Sequence, residues 1–251
     1  MSAERSINLI STTEALEQAA AALATRPWFA IDTEFLRERT YRPELCLIQI
    51  ATDEHLFCID PLALDNIDCL LDVIYREDIT KVLHAAGQDL EIFYWLRGAV
   101  PHNLFDTQIA APLLGYPEQA GYATLVKQAL NIDLSKSHSR ADWSRRPLPP
   151  QQLAYAADDV IYLAQVYPKF LHELESLGRL EWLHSEWEAL TDPDLYEKPA
   201  HQMWKRLRHI EKLKGPRLAV AQRLATWREE TARQRNLPRN WLLKDDVLTS
   251  I

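Results

Sequence analysis

No run in this chain approaches the roughly 18 apolar residues of a membrane span, and its N-terminus lacks the basic-then-apolar pattern of a secretory leader. A soluble, cytoplasmic protein is the expectation. Cysteine is scarce as well. Cys46, Cys58 and Cys69 are odd in number, lie in or near apolar runs and show no CxxC spacing, which argues against a zinc site and for buried free thiols. There is no internal repeat and no low-complexity tract. Apolar material is ample, however: 47% of 251 residues is hydrophobic, enough for one large domain, or one domain with an appendage, around a real core.

Charge is unevenly spread. Behind a net charge of −8, residues 198–251 carry 13 Lys+Arg against 5 Asp+Glu, which leaves 15 against 31 in residues 1–197. A basic segment on an acidic body is either a solvated helix face or a contact for phosphates.

Ser11-Thr-Thr-Glu14 reads as a capping box ahead of an Ala/Leu-rich helix to about Thr25, which Pro27 closes. Strand patterns follow at 28–33, 45–51 and 55–60, the last two joined by Thr52-Asp53-Glu54, and suggest an antiparallel meander. Helical periodicity then covers residues 62–76, a short strand 81–85 and a helix 88–96. Asp106 reads as the N-cap of a helix opening at Phe105-Asp-Thr107. Residues 135–150 form a polar, basic, proline-rich loop whose prolines can enter the first turn of the next helix. More helix is expected after Pro168 to about Leu190, and Asp192-Pro-Asp194 with Pro199 looks like a linker.

The candidate chemistry starts at Phe29-Ala-Ile-Asp32-Thr-Glu34-Phe35, an apolar strand that ends in two acids two positions apart. Successive strand residues point to opposite faces, so Asp32 and Glu34 share one. Adjacent buried carboxylates repel and lose hydration unless a cation sits between them. Asp89 falls in the first turn of the helix at 88–96, where the helix dipole favours an acid without any chemistry. Tyr155 and Asp159, four apart on the helix after the basic loop, share a face, and Asp158 points elsewhere.

Four stretches in this order resemble the DEDD exonuclease superfamily and, within it, ribonuclease D: Phe29 to Phe35; His84-Ala-Ala-Gly-Gln-Asp-Leu-Glu91; Asp142-Trp143 with Arg146-Pro-Leu148; and Tyr155-Ala-Ala-Asp-Asp159. The resemblance covers residues 5–195. It implies that Asp32, Glu34, Asp89 and Asp159 hold two divalent ions, Mg²⁺ or Mn²⁺, and that Tyr155 orients the attacking water, as in the tyrosine subclass. It further implies that Lys136 reaches a substrate phosphate and that Phe35 and Ile92 lie against the terminal base, although core packing accounts equally well for Ile92. His84 and His138 are expected to be neutral structural histidines. Residues 216–251 resemble the opening helices of an HRDC module. Its apolar pattern is still running at Val247, Leu248 and Ile251, so the module is expected to be incomplete, as in a fragment of a longer chain.

The expected fold is α/β, a ribonuclease H-like mixed sheet with flanking helices, followed by a small all-α appendage. Residues 1–195 form the exonuclease domain, 196–210 a linker and 211–251 the HRDC-like segment. The expected activity is 3′-to-5′ trimming of structured RNA with a free 3′ end, such as tRNA precursors, releasing 5′-mononucleotides. A DNA exonuclease of the same fold and a non-catalytic RNA-binding module are the alternatives. Clustered carboxylates argue against the last, since a binding module gains nothing from their mutual repulsion.

Overall fold

The computed structural model describes residues 7–134 and 141–250. In order, the elements are β1 (Asn8–Ile10), α1 (Thr13–Leu23), β2 (Trp28–Leu36), β3 (Glu44–Ala51), β4 (Leu56–Ile59), α2 (Asp68–Ile74), β5 (Thr80–Leu83), α3 (Gly87–Arg97), β6 (Leu104–Asp106), α4 (Thr107–Ala110), α5 (Tyr122–Leu130), α6 (Pro150–Ser176), α7 (His184–Leu190), α8 (Gly215–Arg235), α9 (Arg239–Leu242) and α10 (Asp245–Thr249), with short 3₁₀ turns between. No described helix is long and apolar enough to cross a membrane.

The six strands form one mixed sheet in the order β1-β4-β3-β2-β5-β6. β3 and β4 pair antiparallel, as the short polar turn between them predicts, whereas β1 with β4, β2 with β5 and β5 with β6 are parallel. Helices flank the sheet in the ribonuclease H-like manner expected. β2 lies at the middle of the sheet. Phe29, Ala30 and Ile31 are therefore buried on both sides, and the first polar residues of the strand appear only towards its C-terminal end. Cys46 and Cys58 are buried free thiols, and Cys69 is half-buried.

Local details differ from the sequence expectation. The cap of α1 is Thr12, whose Oγ1 accepts from the Ala15 amide at 3.3 Å, so the box at Ser11 and Glu14 is one residue out of register. Strand β1 is three residues long, too short for an alternation pattern to reveal. The expected helix at 62–76 is a 3₁₀ turn followed by α2, and α6 runs unbroken through Pro168. Packing holds it there: Tyr167 meets the ring of Trp28 at 5.0 Å and that of Phe105 at 4.9 Å, centroid to centroid.

The chain divides into two compact units, residues up to 35 with 45–192, and 36–44 with 193–251. The second therefore includes the connection between β2 and β3. Its small apolar centre is Leu207, Ile210, Ala221, Ala225 and Leu248. Beside the apolar residues its interior is ionic. Glu229, 1% exposed, accepts from the hydroxyl of Tyr41 and pairs with Arg233 and Arg239, and Arg228, also buried, reaches Asp245 at 2.7 Å. The guanidinium of Arg239 lies 4.9 Å above the Tyr41 ring. Arg228, Arg233 and Arg239 of the basic stretch are thus engaged by acids and a tyrosine inside the unit.

Candidate active site

Three of the four expected acids converge. Asp32 and Glu34 at the end of β2 and Asp159 on α6 each offer a carboxylate oxygen, and these atoms lie within 4.8 Å of one another. Asp89 stands outside that group. It is buried in the first turn of α3 and accepts from the hydroxyl of Thr33, the residue between the two strand acids, yet its charge acts on both Asp32 and Glu34.

The turn that delivers Asp89 is itself held. Ala85 adopts φ +58°, a left-handed conformation disfavoured for residues with a Cβ, and α3 has no side-chain N-cap of its own. Asp106, at the end of the neighbouring β6, supplies both needs: its carboxylate accepts from the amides of Ala85 at 3.1 Å and Ala86 at 2.9 Å while capping α4 through Gln108 at 2.8 Å. The capping role read from the sequence holds, and the second role needed the β5–β6 pairing to become visible.

The acids bear each other's charge. Burial first, then the charges of Asp89, Asp159 and Glu34, push Asp32 well above the usual carboxylate range. Glu34 is driven up to about 8 by burial and by Asp159 and Asp89. Burial also takes Asp89 to about 7 against the opposing hydrogen bond from Thr33, and takes Asp159 to about 7 with help from Asp158. Such shifts are what a bound cation reverses. The donors are all carboxylate oxygens, which suits a hard divalent ion.

Tyr155 lies one helical turn before Asp159. Its phenol is pushed up to about 12, chiefly by burial and then by Asp159, Glu34 and Asp32, so it keeps its proton at neutral pH. One wall against it is Trp143, 2% exposed, whose ring centroid is 6.3 Å from that of Tyr155.

Of the expected substrate contacts, Phe35 is half-buried at the end of β2 and Ile92 is 2% exposed, a core position. Lys136, like His138 and Arg140, lies outside the described residues. His84 is a half-buried histidine whose Nδ1 is 3.0 Å from the Thr107 hydroxyl; burial pushes its pKa below the ordinary value, in keeping with a neutral ring. Thr33 escaped the sequence reading, since it lies on the other face of the strand from Asp32 and Glu34. Its position between two acids was the available signal.

Comparison with known proteins agrees with the fold. The sequence pattern of the 3′-5′ exonuclease family matches residues 7–175, and that of the HRDC domain matches 217–251. The chain is 47% identical over 245 residues to ribonuclease D of Sphingobium indicum, covering 97% of this chain and 63% of that one, and 45% identical over 245 residues to ribonuclease D of Zymomonas mobilis, with the same coverage. Among solved structures it superimposes on ribonuclease D of Escherichia coli, an exoribonuclease involved in structured RNA processing, with a TM-score of 0.91 at 37% identity, covering 98% of this chain and 65% of that one. The catalytic core of RRP6 from Trypanosoma brucei follows at 0.78 and 26%, with 99% and 70% covered. The chain thus spans slightly less than two thirds of the length of the ribonuclease D relatives it matches.

Proposed function

The chain belongs to the 3′-5′ exonuclease family, and from that premise we propose that it is a divalent-metal-dependent 3′-to-5′ exoribonuclease of the ribonuclease D type, trimming structured RNA such as tRNA precursors and releasing 5′-mononucleotides. One observation carries the reading: the carboxylates of Asp32, Glu34 and Asp159 converge within 4.8 Å, at a charge cost that a purely binding surface would have no reason to bear.

Asp32, Glu34, Asp89 and Asp159 would hold two Mg²⁺ or Mn²⁺ ions. When bound, such ions lower the pKa of water and neutralise charge on the attacking and leaving oxygens of a phosphodiester. The protein's own share is placement. Thr33 orients Asp89 through its hydroxyl, and Asp106 fixes the turn that presents it. A phenol titrating near 12 is a poor base at neutral pH, so Tyr155 serves by hydrogen-bonding the water that attacks phosphorus in line with the departing O3′. In this reading Phe35 would stack on the terminal base, a contact tolerant of sequence, and Lys136 would neutralise a phosphate.

The test is an end-labelled RNA with a free 3′ end, given Mg²⁺ or Mn²⁺, beside a 3′-phosphorylated RNA, a circular RNA and a DNA of the same sequence. Stepwise loss from the free 3′ end, stopped by EDTA and by the 3′-phosphate, is expected. Internal cuts in the circle would overturn the exonuclease reading, and equal rates on DNA would overturn the restriction to RNA.

A further inference from the structure

We propose that Arg146 is a positioning residue for the nuclease site, setting the orientation of Tyr155 through Trp143; the inference rests on the function proposed above. Arg146 is one of the cations of the basic loop at residues 135–150, yet its guanidinium is not available to a phosphate. A guanidinium carries five N–H donors in one plane, and here all five have acceptors. Nε donates to Asp60 Oδ2 at 2.6 Å; Nη2 donates to Asp60 Oδ1 and to the Cys46 carbonyl, both at 2.7 Å; Nη1 donates to the carbonyls of Trp143 at 2.7 Å and Arg145 at 3.0 Å. None is left for a phosphate.

The five bonds join three segments remote in sequence. Asp60, 3% exposed, directly follows β4, and its Oδ1 also accepts from the Leu62 amide at 3.0 Å; Cys46 lies within β3. Arg146 therefore staples the segment leading into α6 to two strands of the sheet. Three residues before it is Trp143, whose buried ring meets Tyr155 at 34° between planes. Two residues after it is the buried Leu148, and then Pro149, the N-cap of the helix that carries both Tyr155 and Asp159. The staple thus holds the wall against which Tyr155 packs and the entry of the helix on which it rides. Residues of similar volume without charge would fill the space at least as stably, since buried ion pairs are weak contributors to stability. What a bidentate guanidinium adds is direction.

A lysine keeps the charge but cannot span five acceptors in a plane. Displacing a catalytic group by about 1 Å costs on the order of 100-fold in rate. Arg146→Lys should therefore lower the single-turnover rate of nucleotide release about 10- to 100-fold, with RNA affinity and half-saturating Mn²⁺ within about twofold of wild type. The decisive readout is a cycle with Tyr155→Phe: once the hydroxyl is gone, Arg146→Lys should add less than about a twofold further loss, because the two act through one group. Asp60→Asn, which keeps the shape of the acceptor, should behave in the same non-additive way and carries the test if Arg146→Lys does not fold. A wild-type rate in both variants, a fully multiplicative loss in the Tyr155→Phe background, or weakened RNA binding at unchanged rate each overturns the inference. An inactive wild type would instead remove the nuclease reading beneath it, so the two failures are told apart by the first lane of the assay.

Discussion

Asp159→Asn should stabilise the metal-free protein. Asp159 titrates near 7 in the fold against 3.8 in the unfolded chain, so between those values the folded state holds a proton that the unfolded state has released. The stability of the protonated form is fully present below about pH 4 and is lost as pH rises through 7. By pH 8.5 the cost of carrying a charge in that buried place beside Asp158 is felt in full. Three units at 1.36 kcal/mol each would be about 4 kcal/mol for an isolated, wholly buried group. Asp159 is half-buried and its charge also acts on Asp32 and Glu34, so neutralising it alone should recover about 1–2 kcal/mol. At about 2–4 °C per kcal/mol for a chain of this size, Tm in EDTA at pH 8.5 should rise by about 2–8 °C. The gain should vanish at pH 5, where the wild-type carboxyl is already protonated, and Mn²⁺ should reverse the order by raising wild type more than the variant. A variant that melts at or below wild type in EDTA at pH 8.5, or a gain that survives at pH 5, refutes the reasoning.

Three further outcomes follow from other residues. Tyr155→Phe keeps the ring and loses the hydroxyl, so single-turnover cleavage should fall about 10²–10⁴-fold with an unchanged metal requirement; a rate near wild type would reduce Tyr155 to packing. Lys81 is wholly buried, donates to the carbonyls of Arg76 and Ile79 at 2.7 Å each, and is pushed by burial down to about 8. From pH 8 to 10.5 the unfolded chain then binds the extra proton, so wild type should gain up to about 3 kcal/mol relative to Lys81→Met in urea melts, and a flat difference would contradict this. Burial pushes Glu229 up, but hydrogen bonds from Arg239 and Tyr41 outweigh it and keep it below its ordinary value; Glu229→Gln removes the buried charge facing Arg239 and Arg233, of which Arg233 keeps Glu197 at 2.8 Å, and should cost about 1–3 kcal/mol, visible as an earlier urea transition. A variant as stable as wild type would show that the network carries no net stability.

The acids were readable because strand alternation and helix spacing are one-dimensional rules: Asp32 with Glu34, and Tyr155 with Asp159, follow from periods of two and four. Asp106 was readable as a cap for the same reason. Pairings across long stretches of chain were not readable. Arg146 and Asp60 are 86 positions apart and Tyr41 and Glu229 are 188 apart, so composition reports such residues as solvated charge while the fold buries them together. The capping box slipped by one residue because Ser11, Thr12 and Thr13 are chemically alike, and the packing of α1 decides which of them ends outside the helix.

The inclusion of residues 36–44 in the C-terminal unit has a consequence for the order of synthesis. The strand bearing Asp32 and Glu34 leaves the ribosome long before Glu229 and Arg239 exist. At about 5–20 residues per second, the 188 residues between Tyr41 and Glu229 amount to about 10–40 s. For that interval the strand is complete while the connection beyond it lacks the partners that will hold Tyr41. Arg37 and Arg39, both exposed in that connection, offer a protease a clock: tryptic cleavage there in stalled nascent chains should fall sharply once residue 239 has cleared the exit tunnel, and no earlier.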